Sequence, residues 1–321
     1  MNSMKEKLKS FRELGVICVL IALIILLTIA RPVFISPTNF INVVRQTVQI
    51  GIMAVGMTFL IISGEMDLSV GSIFGTTGML AATLYKSNVN PTVAFLVAIL
   101  VGCAIGLLNG ILVTKTKIPA FIATLGTMKI FRSVAYAISG GQSISVFPES
   151  VMNSWVFKMG GSLGPIPIQI FIMAVIFVVA GIVLAKTETG YNMYATGGNP
   201  KAANLVGINT DRVEIMGFII SGAVSALAAM ISIAYLGSVP TTAGEGREMD
   251  VIAAVILGGA SLSGGRGTML GTFIGAMIIS VVKNGMVLLS VPVFWQDGFI
   301  GVVLILAVLL DTVMHRKDSR G

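Results

Sequence analysis

Apolar residues in this chain arrive in long runs separated by short polar joints. Ten runs approach the roughly twenty-residue length that a helix needs to cross a bilayer. They cover 14–30, 46–63, 71–86, 91–113, 119–139, 167–185, 213–236, 250–264, 268–289 and 293–312. The pattern predicts an all-α polytopic membrane protein with about ten transmembrane helices, residues 1–321 forming a single transmembrane domain. Helix is expected because a spanning segment must satisfy its own backbone hydrogen bonds in lipid. Runs 71–86 and 250–264 are short and rich in Gly, Ser and Thr. Either a full crossing or a broken segment fits them, so eight or nine complete spans remain open.

The longest polar interruptions are 140–166 and 186–212. The second carries a complete short-helix signature. Asn199 is a good N-cap, its side-chain oxygen able to accept from a free first-turn N–H. Pro200 follows where its missing N–H costs nothing. Residues 200–206 then read as two turns, and Gly207 stands where a left-handed residue stops a helix. Two turns do not persist alone in water, so this helix needs a surface to dock on. In the first interruption, Trp155 and Phe157 are either interface anchors or part of a docking surface, anchoring being the commoner role.

Composition agrees with the pattern: 55% of the 321 residues are hydrophobic and 11% charged, against about a quarter charged in a soluble domain. Charge also orients the runs. With the N-terminus inside, the inner segments hold thirteen Lys and Arg residues and the outer ones hold five, namely Arg31, Arg45, Lys86, Lys158 and Arg247. That positive-inside bias puts both termini and the 186–212 segment in the cytoplasm, and 140–166 in the periplasm of a bacterial cell. The net charge of +7 is therefore orientation, not nucleic-acid binding. Cys18 and Cys103 both fall in apolar runs, which excludes a disulfide framework.

Charged groups near mid-bilayer cost about 2.5–3.5 kcal/mol on insertion scales, so each needs a partner or a task. Lys129 and Arg132 share one helix face, which is expected to look into the bundle. Lys283 and Asp297 flank one tight turn and are expected to pair across it. Glu65 and Asp67, beside Gly64, Ser69 and Gly71, suit either solute hydroxyls or a cation, while Asp67 also suits a cap on the next helix. Asn109 and Asn284 are single amides inside spans; with Ser69, Thr124, Glu65 and Asp67 they are the candidate pathway residues. Gly102, Gly106 and Gly110, and again Gly267, Gly271 and Gly275, strip one helix face for close packing and hint at two related halves. Asp67 to Gly71 also resembles Ser261 to Gly265, at joints of the same orientation, which conflicts with inverted halves.

No catalytic residues are identified and no metal site. His315 is the only histidine, no Gly-x-Ser-x-Gly elbow is present, and Gly259 to Arg266 lacks the ending of a phosphate loop. If transport uses ATP, another chain binds it.

Gly64 to Gly71, Ala120 to Leu125, Gly197-Gly198-Asn199 with Ala202-Ala203 and Gly207-Ile208, and Ala243 to Gly267 together resemble the ribose-type sugar permeases of bacterial ABC importers. The resemblance runs nearly the whole chain. It implies a type II-like importer permease with inverted repeats, sited in the inner membrane and paired with a second permease copy, identical or related. It also implies a cytoplasmic ABC ATPase and a periplasmic sugar-binding protein as partners. Gly198, Asn199, Pro200, Lys201, Ala202, Ala203, Asn204 and Gly207 match the segment that couples to the ATPase. The sequence departs from the family pattern at Glu65, where a glycine is usual, and at Arg247, where an aromatic is usual. Rival functions are an ion-coupled transporter using Glu65, Asp67 or Asp297, a passive channel, and a branched-chain amino acid-type ABC permease.

Overall fold

The structure, a computed structural model, describes residues 2–318; Met1 and 319–321, with the charge at Arg320, lie outside. Helix α1 covers Asn2–Ala30, followed by α2 (Pro37–Ser63), α3 (Val70–Lys86), α4 (Pro91–Thr116) and α5 (Ala120–Ser139). The 140–166 segment contributes β1 (Ile144–Ser145), α6 (Glu149–Met152), α7 (Trp155–Lys158), β2 (Ser162–Leu163) and the start of β3 (Ile166–Pro167). Then come α8 (Ile168–Lys186), α9 (Glu188–Gly198), α10 (Pro200–Leu205), α11 (Thr210–Leu236) and β4 (Ser238–Val239). The chain closes with α12 (Arg247–Leu257), α13 (Met269–Leu288) and α14 (Val293–Asp318).

Among the described residues, six helices are long and apolar enough to cross a membrane: α2, α4, α5, α8, α11 and α13. Leu14–Ala30 and Val293–Leu306 are shorter apolar stretches, α3 has 17 residues and α12 only 11. The expected run 250–264 is thus not one helix. It ends at Leu257, and Gly258, Gly259 and the residues to Thr268 form turns. The glycines and serines that weaken its apolar signal are the residues that leave the helical path.

Helix ends follow local rules. Ser36 accepts from the Asn39 N–H at 3.3 Å to start α2, and Gly64 at φ +94° stops it. Asn209 accepts from Arg212 N at 3.0 Å to start α11, and Gly237 at φ +63° stops it. Thr268 accepts from Gly271 N at 3.0 Å to start α13.

Two long helices form the centre. Helix α2 is buried continuously from Ile50 to Ser63, and α11 packs against both α2 and α4. The first glycine triplet makes the second contact possible. A methyl at Gly106 would meet the Phe218 carbonyl oxygen at 2.2 Å, and one at Gly102 the Gly222 oxygen at 2.6 Å. In the second triplet, Gly271 and Gly275 leave the same room for Gly258 and for Ala254 of α12, whereas Gly267 at φ +155° precedes α13 and is not on its face. Helix α3 packs on α4, α5 and α11; α12 packs on α13, α14 and α2.

At the end away from α10, β1 pairs antiparallel with β4, Ile144 opposite Val239. Phe157 is buried there between Tyr85 and Phe147, with ring centroids 5.6 and 5.5 Å away, so it is core rather than an interface anchor. Trp155 stays half exposed and donates Nε1–H to Thr92 at 2.9 Å. Both cysteines are free.

Candidate functional site

The chain gathers its polar chemistry in three places. The first is the segment from α9 to α11. Asn199, extended at φ −160°, ψ 95°, separates α9 from α10, and its Oδ1 accepts from Ala202 N at 3.0 Å. Pro200 occupies the first helical position. Ala203 is buried and pins α10 to the bundle, while Asn204 donates to the Pro200 carbonyl and Thr210 hydroxyl, both at 3.1 Å. The helix ends at Leu205, with Val206 as C-cap, one residue before the expected limit. Gly207 at φ +91° turns the chain, and Ile208 N donates back to the Ala203 carbonyl at 3.0 Å. Gly198, Lys201 and Ala202 are exposed. So are three apolar residues absent from the expected set: Leu205 (89%), Val206 (75%) and Tyr191 (68%). A Leu-Val pair inside a polar segment is the signal that marks the first two.

The second place is the 64–69 joint. Asp67, Ser69, Asn109 and Thr124 come together there with Ser221 of α11, all fully buried. Asp67 Oδ1 accepts from Ser69 N at 2.8 Å and Ser69 Oγ at 2.6 Å; its Oδ2 accepts from Ser221 Oγ at 3.3 Å. Asn109 donates to Ser69 Oγ at 2.8 Å, and Leu68 N donates to Thr124 Oγ1 at 3.1 Å. The carboxylate thus ties the start of α3 to α11 and, through Ser69, to α4, while the Leu68 N–H makes a separate tie to α5. Ser69 is the N-cap residue of α3, and Asp67 acts two residues ahead by holding the Ser69 N–H. Glu65 is not in this network. It lines a separate cavity of about 460 Å³ with Lys117, Phe121 and Glu214, and partial burial raises its carboxyl above the ordinary glutamate value.

The third place is a polar cavity of about 670 Å³ near the opposite end, between α2, α3, α11, α12 and α13. Asn284 lies on its wall in a reciprocal amide pair with Asn39, both bonds 2.9 Å. Asn39, Asn42, Gln46 and Gln49 recur at three- and four-residue spacing along one side of α2 and line the cavity. That amide stripe is readable in the sequence, but it straddles the edge of the apolar run that begins at 46. Arg45 stacks on Tyr235, 4.8 Å to the ring centroid, and donates to its hydroxyl at 3.2 Å. Arg247 lies 5.1 Å over the Phe74 ring.

Two charge expectations are corrected. Lys283 pairs with Asp250 of α12, not with Asp297 across the turn. The nearest carboxylate in sequence is not the nearest in space once α12 packs on α13. Lys129 and Arg132 do not both face inward: Arg132 donates to the Ala243 carbonyl at 2.5 Å, while Lys129 is exposed in the middle of α5.

Residues 39–308 match the family described as branched-chain amino acid transport system / permease component. The chain is 42% identical to the ribose import permease of Bacillus subtilis over 96% of this chain and 94% of that one. It is 41% identical to the ribose import permease of Escherichia coli K12, covering 91% and 92% of the two chains. The autoinducer 2 import system permease of Photorhabdus luminescens is 34% identical, covering 96% and 92%. No solved structure matches the chain. A permease moves its solute without transforming it, so this is a transport subunit and not an enzyme. With a match over most of its length and relatives above 40% identity across nine-tenths of it, the chain belongs to this permease-component family, among its ribose-type ABC members.

Proposed function

We propose that the chain is the membrane-spanning subunit of an ATP-driven importer for a small neutral sugar. The observation that carries this is α10: a six-residue helix capped at both ends, pinned by Ala203, whose exposed tip is Leu205 and Val206. An exposed apolar tip on a polar segment is what a docking partner covers. That partner is the ABC ATPase, which binds the ATP; this chain holds no cofactor. The charge asymmetry supports placing α10 and both termini in the cytoplasm of a bacterial cell, and the 140–166 segment outside, where a sugar-binding protein delivers solute.

The solute path begins in the amide-lined cavity, which suits a molecule with hydroxyls and no charge. Asn284 belongs to that cavity, whereas Asp67, Ser69, Asn109 and Thr124 act as a latch at the inner joint. Asp67 accepts three hydrogen bonds, an arrangement that suits a fixed tie better than a coupling carboxylate. Inverted repeats are supported by a swap of partners. Helix α3 touches α4, α5 and α11, and α12 touches α13, α14 and α2, as halves 37–139 and 210–318 require. A second permease copy is supported by Lys129, a charge exposed halfway along α5 that lipid alone would leave at a cost of about 2.5–3.5 kcal/mol.

The test is reconstitution in liposomes with the tandem ATPase and binding protein, measuring uptake of labelled D-ribose against ATP. Competition by xylose, arabinose, galactose and leucine separates the sugar from the amino acid reading. Uptake that persists without the ATPase and collapses with a sodium or proton ionophore overturns the proposal.

A further inference from the structure

Helix α10 touches both α11 and α9, and α9 ends in a backbone crossing. Gly197 is buried, and a methyl group there would lie 1.9 Å from the Ile62 carbonyl oxygen and 2.7 Å from Gly265 N. Gly264 and Gly265, at φ +78° and +69°, lie against it from the turn that joins α12 to α13. A methyl at Gly264 would stand 2.6 Å from the Gly197 carbonyl oxygen, and one at Gly265 2.9 Å from Gly198 Cα. Gly265 N donates to the Ile62 carbonyl at 2.8 Å, closing the third side. Tyr194 of α9 adds a hydrogen bond of 2.7 Å to the Gly267 carbonyl in the same turn. Three segments therefore meet main chain to main chain: the end of α2, the end of α9 and the 258–268 turn.

Such a contact differs from ordinary side-chain packing. Side chains absorb a displacement of a few tenths of an ångström by changing rotamer, whereas backbones at van der Waals contact pass it on. Each neighbour of the crossing also leads to a polar site. Ile62 lies two residues before Gly64 and the loop that carries Asp67. The 258–268 turn is the only covalent link from α12, which holds Asp250 and Arg247 in the wall of the outer cavity, to α13.

We infer that Gly197, seated against Gly264 and Gly265, is the positioning residue through which motion of α10 reaches both the 64–69 joint and the α12–α13 turn. This rests on the importer reading above, since only a driven α10 has motion to transmit. Gly197→Ala wedges the crossing apart while leaving the exposed face of α10 untouched.

The experiment compares Gly197→Ala, Tyr194→Phe and the packing control Gly181→Ala, whose added methyl meets only Met269 Cβ at an ordinary 3.8 Å. Each complex is reconstituted with ATPase and binding protein, and D-ribose uptake and ATP hydrolysis are read from the same vesicles. Gly197→Ala is expected to retain the ATPase on purification and to hydrolyse ATP within twofold of the unmodified complex. Its ribose uptake per ATP is expected to fall at least tenfold, and that of Gly181→Ala to stay unchanged. Should Gly197→Ala fail to accumulate, Tyr194→Phe decides, because it removes one hydroxyl and adds no bulk: a threefold or larger loss in uptake per ATP supports the joint. ATP-dependent uptake with unaltered coupling in the testable variants overturns the joint alone. Uptake by the unmodified complex that ignores ATP overturns the importer reading together with it.

Discussion

The pair between Lys283 and Asp250 offers the most quantitative test of how α12 is held. The Asp250 side chain is 5% exposed and that of Lys283 26% exposed, so the two ends of the pair are not equivalent. Lys283→Met leaves a buried carboxylate without its ammonium partner. Breaking a buried pair in this way costs about 3–5 kcal/mol. The alternative, neutralising an orphaned aspartate of ordinary pKa near 3.9 at pH 7, costs about 4 kcal/mol. Asp250→Asn instead leaves an ammonium that still reaches water, and the expected loss is about 1–2 kcal/mol. For a chain of this size about 2 °C of Tm accompanies each kcal/mol. The purified permease in detergent should therefore melt roughly 6–8 °C lower with Lys283→Met and roughly 2–4 °C lower with Asp250→Asn. The double variant should be no worse than Lys283→Met alone, since the stranded charge is gone. Losses that are equal in the two single variants, and additive in the double, would refute the pairing and the depth assigned to it.

Further outcomes follow from other contacts. Asn199→Ala removes the cap on α10 and should weaken that helix by about 1 kcal/mol, seen as several-fold weaker retention of the ATPase with normal membrane levels. Gly106→Val places a branched side chain where even a methyl stands 2.2 Å from the Phe218 oxygen, and quantitative blotting of membranes should find it depleted at least fivefold. A cysteine placed at Lys129, with Cys18 and Cys103 changed to serine, should form disulfide-linked dimers under oxidation; monomers alone would count against a second copy covering α5.

The sequence reading succeeded where the governing physics is local. Asn199, Pro200 and Gly207 announce a helix through backbone donors and dihedral limits that act within a few residues, and the structure differs only by ending it at Leu205 rather than Val206. Gly102, Gly106 and Gly110 mark a bare face of α4, and Gly271 and Gly275 one of α13, but Gly267 falls in the turn before that helix. What depended on long-range packing was missed. Asp250 lies 33 residues from Lys283 and on another helix, so proximity in sequence pointed instead to Asp297. The amide stripe on α2 was overlooked because hydropathy averaged over a window treats residues 39–49 as the frayed edge of a span. Phe157 looked like an anchor because it sits beside Trp155 in a segment between spans, yet in space it is enclosed by Tyr85 and Phe147.

Leu205 and Val206 set a rule for how this subunit is made. On the orientation proposed above, a protomer released from the insertion machinery alone carries a greasy tip into the cytosol, where chaperones and proteases recognise such surfaces. Abundance of the chain is thereby tied to supply of whatever caps that tip, and overproducing it singly should yield rapid turnover instead of a stockpile.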